Sequence, residues 1–103
     1  IIAQSIVGSF ESGSARLLIV LGADIALVSS GNKKGEMRLS TRASNRIISQ
    51  GFNLTTILEK IADINGGSAG GHPGAAGYNG KGDPEAISNI AKQNCIDSIR
   101  QLP

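Results

Sequence analysis

Twelve consecutive residues, Gly66-Gly67-Ser68-Ala69-Gly70-Gly71-His72-Pro73-Gly74-Ala75-Ala76-Gly77, restrict this 103-residue chain more than any other segment, because half of them are glycine. Glycine loses more backbone freedom on folding than any other residue, so an ordered run of this kind answers a requirement. It permits positive φ, and it lets another group approach the main chain closely. Successive N–H groups in such a run can form a concave anion site, for which phosphate or sulfate is the natural guest. His72 is the chain's one histidine. Pro73 behind it disfavours helical geometry, which predicts an extended His72 whose ring projects from a glycine-lined surface. An imidazole placed there donates to a phosphate oxygen; the plainer alternative is a ring packed against a turn. A P-loop would need Lys and then Ser or Thr after its second glycine, where this chain has His-Pro. A dinucleotide fingerprint would need a strand before the glycines and a helix opening within them. Here a helix pattern precedes, and Ala75-Ala76-Gly77-Tyr78 reads as the start of a strand.

The length fits one domain. Phe10, Phe52 and Tyr78 are the only aromatic residues. That composition argues against a base-stacking binder of single strands and directs any nucleic-acid grip to the backbone phosphates. A net charge of +2 also argues against a strong non-specific polyanion binder. The charge is uneven, however: Lys33, Lys34, Arg38, Arg42 and Arg46 cluster against the single acid Glu36. Charge alone favours a solvated hairpin surface. Cys95 stands alone, which excludes a disulfide framework or zinc knuckle. Its helical apolar pattern reads as a small buried hydrophobe, and a reducing, cytoplasmic setting follows. The longest apolar run, Leu17 to Leu21, is too short to span a membrane, and no signal-peptide pattern is present. A start at Ile1 suggests a piece of a longer protein.

Ile1 to Val7 reads as a short strand or an incoming linker. Phe10 to Ser14 reads as a turn, with Ser14 capping a helix over 15–21 that Gly22 ends. The apolar run Ile25-Ala26-Leu27-Val28 suits a strand covered on both faces, and 29–35 reads as a hairpin loop. Glu36 to Arg42 then alternates, with Met37, Leu39 and Thr41 on one side and Glu36, Arg38, Ser40 and Arg42 on the other. Asn53 caps a helix over 54–64 whose apolar stripe is Leu54, Ile57, Leu58, Ile61 and Ile64, stopped by Gly66-Gly67. Asp83, Pro84 and Glu85 open a last helix with Ile87, Ile90, Ala91, Cys95, Ile99 and Leu102 as its buried stripe. The expected fold is α/β: one domain, with a small mixed β-sheet flanked by helices.

Gly70-Gly71-His72-Pro73-Gly74-Ala75-Ala76-Gly77 resembles the Gly-Gly-His, two residues, Ala-Ala-Gly signature of the DHH-associated domain. That domain follows the catalytic domain in DHH-family phosphoesterases, the RecJ-like nucleases and oligonucleotide phosphodiesterases. The strand pair Ala23 to Val28 and Gly35 to Arg42 is similar to the family's, which ends in Ser-x-Arg, and the likeness runs from about Gly22 to the C-terminus. Where the family often carries a third glycine, this chain has Ala69.

The resemblance implies that residues 1–103 form a substrate-binding domain, with 1–13 as a linker or strand from the catalytic domain. It implies a parent hydrolase, in some members an exonuclease, whose two-metal site, usually manganese, lies in an N-terminal DHH domain. Asp24, Asp63, Asp83 and Asp97 are scattered in this chain, so no cofactor, metal ligand or catalytic residue is assigned here, and the chain alone is expected to be inactive. By resemblance, Arg42 and His72 hold phosphate and the amides of Gly70, Gly71 and Gly74 complete the cradle. Ser40 and Arg38 assist from Arg42's strand face, and Ala75 and Ala76 keep the approach clear. Expected partners are nucleic acid or a short oligonucleotide and the chain's own DHH domain, with no membrane. A second reading is a non-catalytic RNA-binding module related to the C-terminal domain of alanyl-tRNA synthetase. A third is a structural domain whose glycines serve tight turns.

Overall fold

The computed structural model describes residues 1–6, 15, 18–19 and 22–103. A five-stranded sheet forms from β1 (Ile2–Ile6), β2 (Ile25–Gly31), β3 (Glu36–Ala43), β4 (Ser68–His72) and β5 (Ala75–Lys81), in the order β1-β2-β3-β5-β4. β1 runs parallel to β2, and the other pairs are antiparallel. Among the described residues, besides the helical positions 15, 18 and 19, three helices have defined bounds: α1 (Asn45–Ile48), α2 (Leu54–Asn65) and α3 (Pro84–Arg100). This is the expected α/β architecture with a mixed sheet.

The period of two along β3 decides which face is covered. Met37, Leu39 and Thr41 are buried, and their row partners Tyr78 and Ala76 on β5 share that face. α2 packs over β4 and β5, and α3 over β1 and β2. Ile25, Leu27, Leu39, Leu54, Leu58, Tyr78 and Cys95 form one apolar core there. Truncating such a Leu to Ala would cost about 2–5 kcal/mol. Ala26 and Val28 point the other way and pack against the helical residues Ala15, Leu18 and Ile19. β2 is thus covered on both faces, as its unbroken apolar run requires. The rest of the expected turn and helix over 10–21 lies outside the described residues.

The capping signals act at their expected places. Asn53 Oδ1 accepts from the Thr55 and Thr56 amides at 2.9 and 3.4 Å, and Asp83 Oδ2 accepts from the Ala86 amide at 2.9 Å. Two expected core residues are instead exposed: Ile64 at 83% and Ile90 at 48%. In α2 the i+4 step from buried Ile61 falls on Asn65, whose Nδ2 donates to the Tyr78 hydroxyl at 2.9 Å, so Ile64 turns outward. In α3 the inward line runs Ile87, Ala91, Cys95, with Ser88 beside it receiving a hydrogen bond from Gln4 Nε2 at 2.6 Å. Ile90 is left at the rim.

The glycine-rich segment is not a loop. It forms β4, the two-residue turn Pro73-Gly74 and the start of β5. The Ala43 amide donates to Gly74 O at 3.0 Å and the Leu54 amide donates to Pro73 O at 3.1 Å, so β3 and α2 both anchor the turn.

Candidate phosphate-binding face

The alternation that buries Met37, Leu39 and Thr41 sends Arg38, Ser40 and Arg42 to the opposite face of the sheet, the face on which Ala15, Leu18 and Ile19 cover only β2 among the described residues. Register then aligns them with the hairpin in three rows. Arg42 pairs with Ala75, which pairs with His72. Ser40 pairs with Gly77, which pairs with Gly70, and Arg38 pairs with Asn79, which pairs with Ser68. Two strand spacings separate the Arg42 and His72 backbones, about 10 Å, and among the described residues of that row the Ala75 methyl stands between them. The middle row is a serine and two glycines. The result is a nearly bare backbone floor with cationic or donor side chains at its margins.

A cavity of about 220 Å³ lies on this floor, lined by Ser40, Thr41, Arg42, Ala75, Ala76 and Gly77. Arg42 is half-buried and, among the described residues, makes no ion pair or side-chain hydrogen bond. Arg46, by contrast, is paired with Asp24. Arg38 is exposed, and its Nε donates to Asn79 Oδ1 at 2.9 Å, a neutral partner that leaves its charge unbalanced. His72 is exposed and does not line the cavity. Its Nδ1 accepts from the Gly74 amide at 3.3 Å, which assigns the neutral ring's proton to Nε2, the outward nitrogen.

The remaining site candidates divide by parity. Gly70 and Ala75 belong to the open face, whereas Ala76 lies in the core and Gly71, its row partner, faces the same way. Gly71 has φ 137°, and a Cβ there would stand 2.7 Å from Ala76 Cα. Its glycine is therefore demanded by the hairpin's own packing. Gly74 sits in the turn with its carbonyl engaged by β3. β4 is an edge strand, so every second residue turns its N–H and C=O away from β5.

Asn79 is a residue that the sequence reading misses. It sits two residues past Gly77, in phase with Ala75, and that phase is the available signal. α1 is missed as well. Its cap, Ser44 Oγ accepting from the Ile47 amide at 3.4 Å, is a Ser before a four-residue turn, too short for helical periodicity to register.

Among the described residues no three His, Cys, Asp or Glu side chains gather as metal ligands would. They do not fit a two-metal site, which needs several converging carboxylates and imidazoles. Among them, too, no helix is long and apolar enough to cross a membrane.

Residues 11–98 match the DHHA1 domain family, and the chain belongs to it. It is 40% identical over 102 residues to an uncharacterized protein of Methanocaldococcus jannaschii, a match covering 98% of this chain and 30% of that protein. The chain thus spans about 30% of the length of this curated relative. The fold is similar to the C-Ala domain of Aquifex aeolicus alanyl-tRNA synthetase, at TM-score 0.63 and 17% identity, covering 88% of this chain and 87% of that one. It is also similar to part of RecJ from Thermus thermophilus, at TM-score 0.64 and 13% identity, covering 93% of this chain and 15% of that one. At these identities the likenesses concern the fold.

Proposed function

We propose that the open face of β3, β5 and β4 holds a phosphate of the substrate in a metal-dependent DHH-family phosphoesterase whose hydrolytic centre lies in another domain. The single observation that carries this reading is the Arg42–Ala75–His72 row: a guanidinium without a counter-ion among the described residues and an outward imidazole N–H, with one methyl between them. Arg42's planar fork matches two phosphate oxygens at once. His72 Nε2–H donates to a third oxygen or to the adjoining phosphate, and outward amides of β4 complete the cradle. Ser40 adds a hydroxyl at the floor. Membership in the DHHA1 family supports a hydrolase parent that acts on nucleic acid or a short oligonucleotide, with this domain closing over the bound end.

The likeness to the C-Ala domain favours a second reading, a nucleic-acid grip with no hydrolysis in the parent, because it covers nearly the whole of both chains. The two readings share the phosphate contact and differ in turnover.

The test is Arg42→Ala in the full-length protein. A charge-assisted contact contributes about 1.5–3 kcal/mol, so affinity for a 5′-phosphorylated oligonucleotide falls roughly ten- to a hundredfold while metal content stays the same. Unchanged affinity makes Arg42 an ordinary surface charge. Absence of phosphodiester hydrolysis in the wild-type protein, with binding intact, favours the second reading.

A further inference from the structure

A second, larger cavity of about 780 Å³ opens at the far end of the same sheet, where β2, β3 and β5 meet the C-terminus of α2. Its polar lining includes Glu36, Arg38, Asn65, Asn79 and Lys81. Gly67, Gly80 and Met37 supply flat or apolar wall. The size is within the usual range for a small-molecule site.

The uncommitted hydrogen-bonding groups are of both kinds. Asn79 uses its Oδ1 to accept from Arg38, which leaves its two amide hydrogens open among the described residues. Asn65 uses its Nδ2 to reach the Tyr78 hydroxyl and Lys81 O, at 2.9 and 3.1 Å, which leaves its Oδ1 open as an acceptor. Lys81 and the outer guanidinium nitrogens of Arg38 add donors, and Glu36 adds a carboxylate. An extended polyphosphate could use only the donors and would be repelled by Glu36. A heterocyclic base presents donors and acceptors along one edge and two flat faces, which suits amide groups set beside glycine backbone.

The cavity is also separate from the Arg42 row. Arg38 and Arg42 are four residues apart on β3, about 14 Å at the rise of a strand. The bond to Asn79 ties Arg38 sideways across the sheet, not lengthwise toward Arg42.

We infer that this cavity is a base-accepting subsite. It takes the base of a neighbouring nucleotide through Asn79 and Asn65, with Arg38 on the intervening backbone, when a phosphate is seated at Arg42. The inference rests on the phosphate reading of Arg42 and adds to it a selection for ligands longer than one nucleotide.

The experiment is equilibrium binding to the full-length protein in excess chelator, so that nothing turns over, with three probes: adenosine monophosphate, 5′-phosphorylated adenylyl dinucleotide and inorganic tripolyphosphate. The dinucleotide is expected to bind about tenfold more tightly than the mononucleotide. Asn79→Ala should remove most of that advantage while leaving mononucleotide affinity within about twofold, and Arg38→Ala should remove most of it whatever its effect on the mononucleotide. An unaltered dinucleotide preference in both variants, or tripolyphosphate binding as tightly as the dinucleotide, overturns the subsite. Arg42→Ala separates the two ideas. It should weaken all three probes; if mononucleotide binding is untouched, the phosphate reading fails, whereas the Asn79 result reports on the cavity itself.

Discussion

The Gly74 backbone amide donates to Nδ1 of His72 at 3.3 Å, so the turn that follows the histidine fixes which of its nitrogens faces outward. Asparagine and glutamine separate the two roles of the ring. His72→Asn keeps an acceptor near Nδ1 and loses the outward donor. His72→Gln places an amide donor near Nε2 and gives up the turn contact. Phosphorylated-ligand affinity should therefore fall about tenfold for Asn and less for Gln, while the unfolding free energy changes little for Asn, within about 0.5 kcal/mol for an exposed site. Titration and thermal melts of the two variants check this order. If Asn binds as well as Gln, the ring serves the turn alone.

Two glycines of the hairpin should respond in opposite ways. At Gly71 the positive φ and the close approach of Ala76 Cα forbid a side chain, so Gly71→Ala should destabilise by about 1–3 kcal/mol. At Gly77 the nearest atom to an added Cβ is Leu39 O, at an ordinary 3.7 Å, and φ is not positive. Gly77→Val should therefore fold normally, since valine suits a strand. It would still raise a side chain from the floor between Ser40 and Gly70, and ligand affinity should fall by more than about tenfold. Chemical denaturation and binding, measured on both variants, give the crossed pattern. Normal binding by Gly77→Val would mean that nothing docks on the floor.

The same hairpin shows where the chain is legible from its residues and where it is not. Alternation alone places Arg38, Ser40 and Arg42 on one face, because apolar residues at every second position leave no other arrangement. Asn53 and Asp83 mark helix starts because their side chains have one local task. β4 is invisible for the converse reason. Ser68-Ala69-Gly70-Gly71-His72 has no apolar period and low strand propensity; its pairing is imposed by β5 and by close packing that only glycine permits. The residues therefore suggest a cradle built on a bend where a flat two-strand floor exists. Ile64 and Ile90 are misplaced by their spacing because periodicity fixes a helical stripe but not how far the sheet beneath it extends.

Ser29 presents a stability prediction away from the site. Its side chain is wholly buried in β2, and its hydroxyl has no hydrogen-bond partner among the described residues. An unsatisfied buried polar group costs about 1–3 kcal/mol. Ser29→Ala removes the hydroxyl and leaves a void of one small atom, so a net stabilisation of roughly 1 kcal/mol is expected. Urea titration is the check: the midpoint should rise with an unchanged slope. A lower midpoint would show that the hydroxyl is satisfied after all.

Cys95 lies wholly buried on α3, and burial pushes its thiol from the ordinary 9.0 up to about 12. The nucleophile in alkylation is the thiolate, so native protein should react with iodoacetamide at pH 8 far more slowly than urea-unfolded protein. The sign of the pH effect follows from the same shift. The folded state holds the proton more tightly than the unfolded state, so the thiol's contribution is complete below about pH 9 and is lost progressively as pH rises toward about 12. Over that window it amounts to roughly 1 kcal/mol per pH unit for one proton. Cys95→Ala should be less stable at pH 7, because a filled core position is emptied, yet its stability should decline less steeply between pH 9 and pH 11. Parallel slopes for the two proteins, or rapid labelling of the native thiol, would mean that α3 exposes Cys95 by opening away from the sheet.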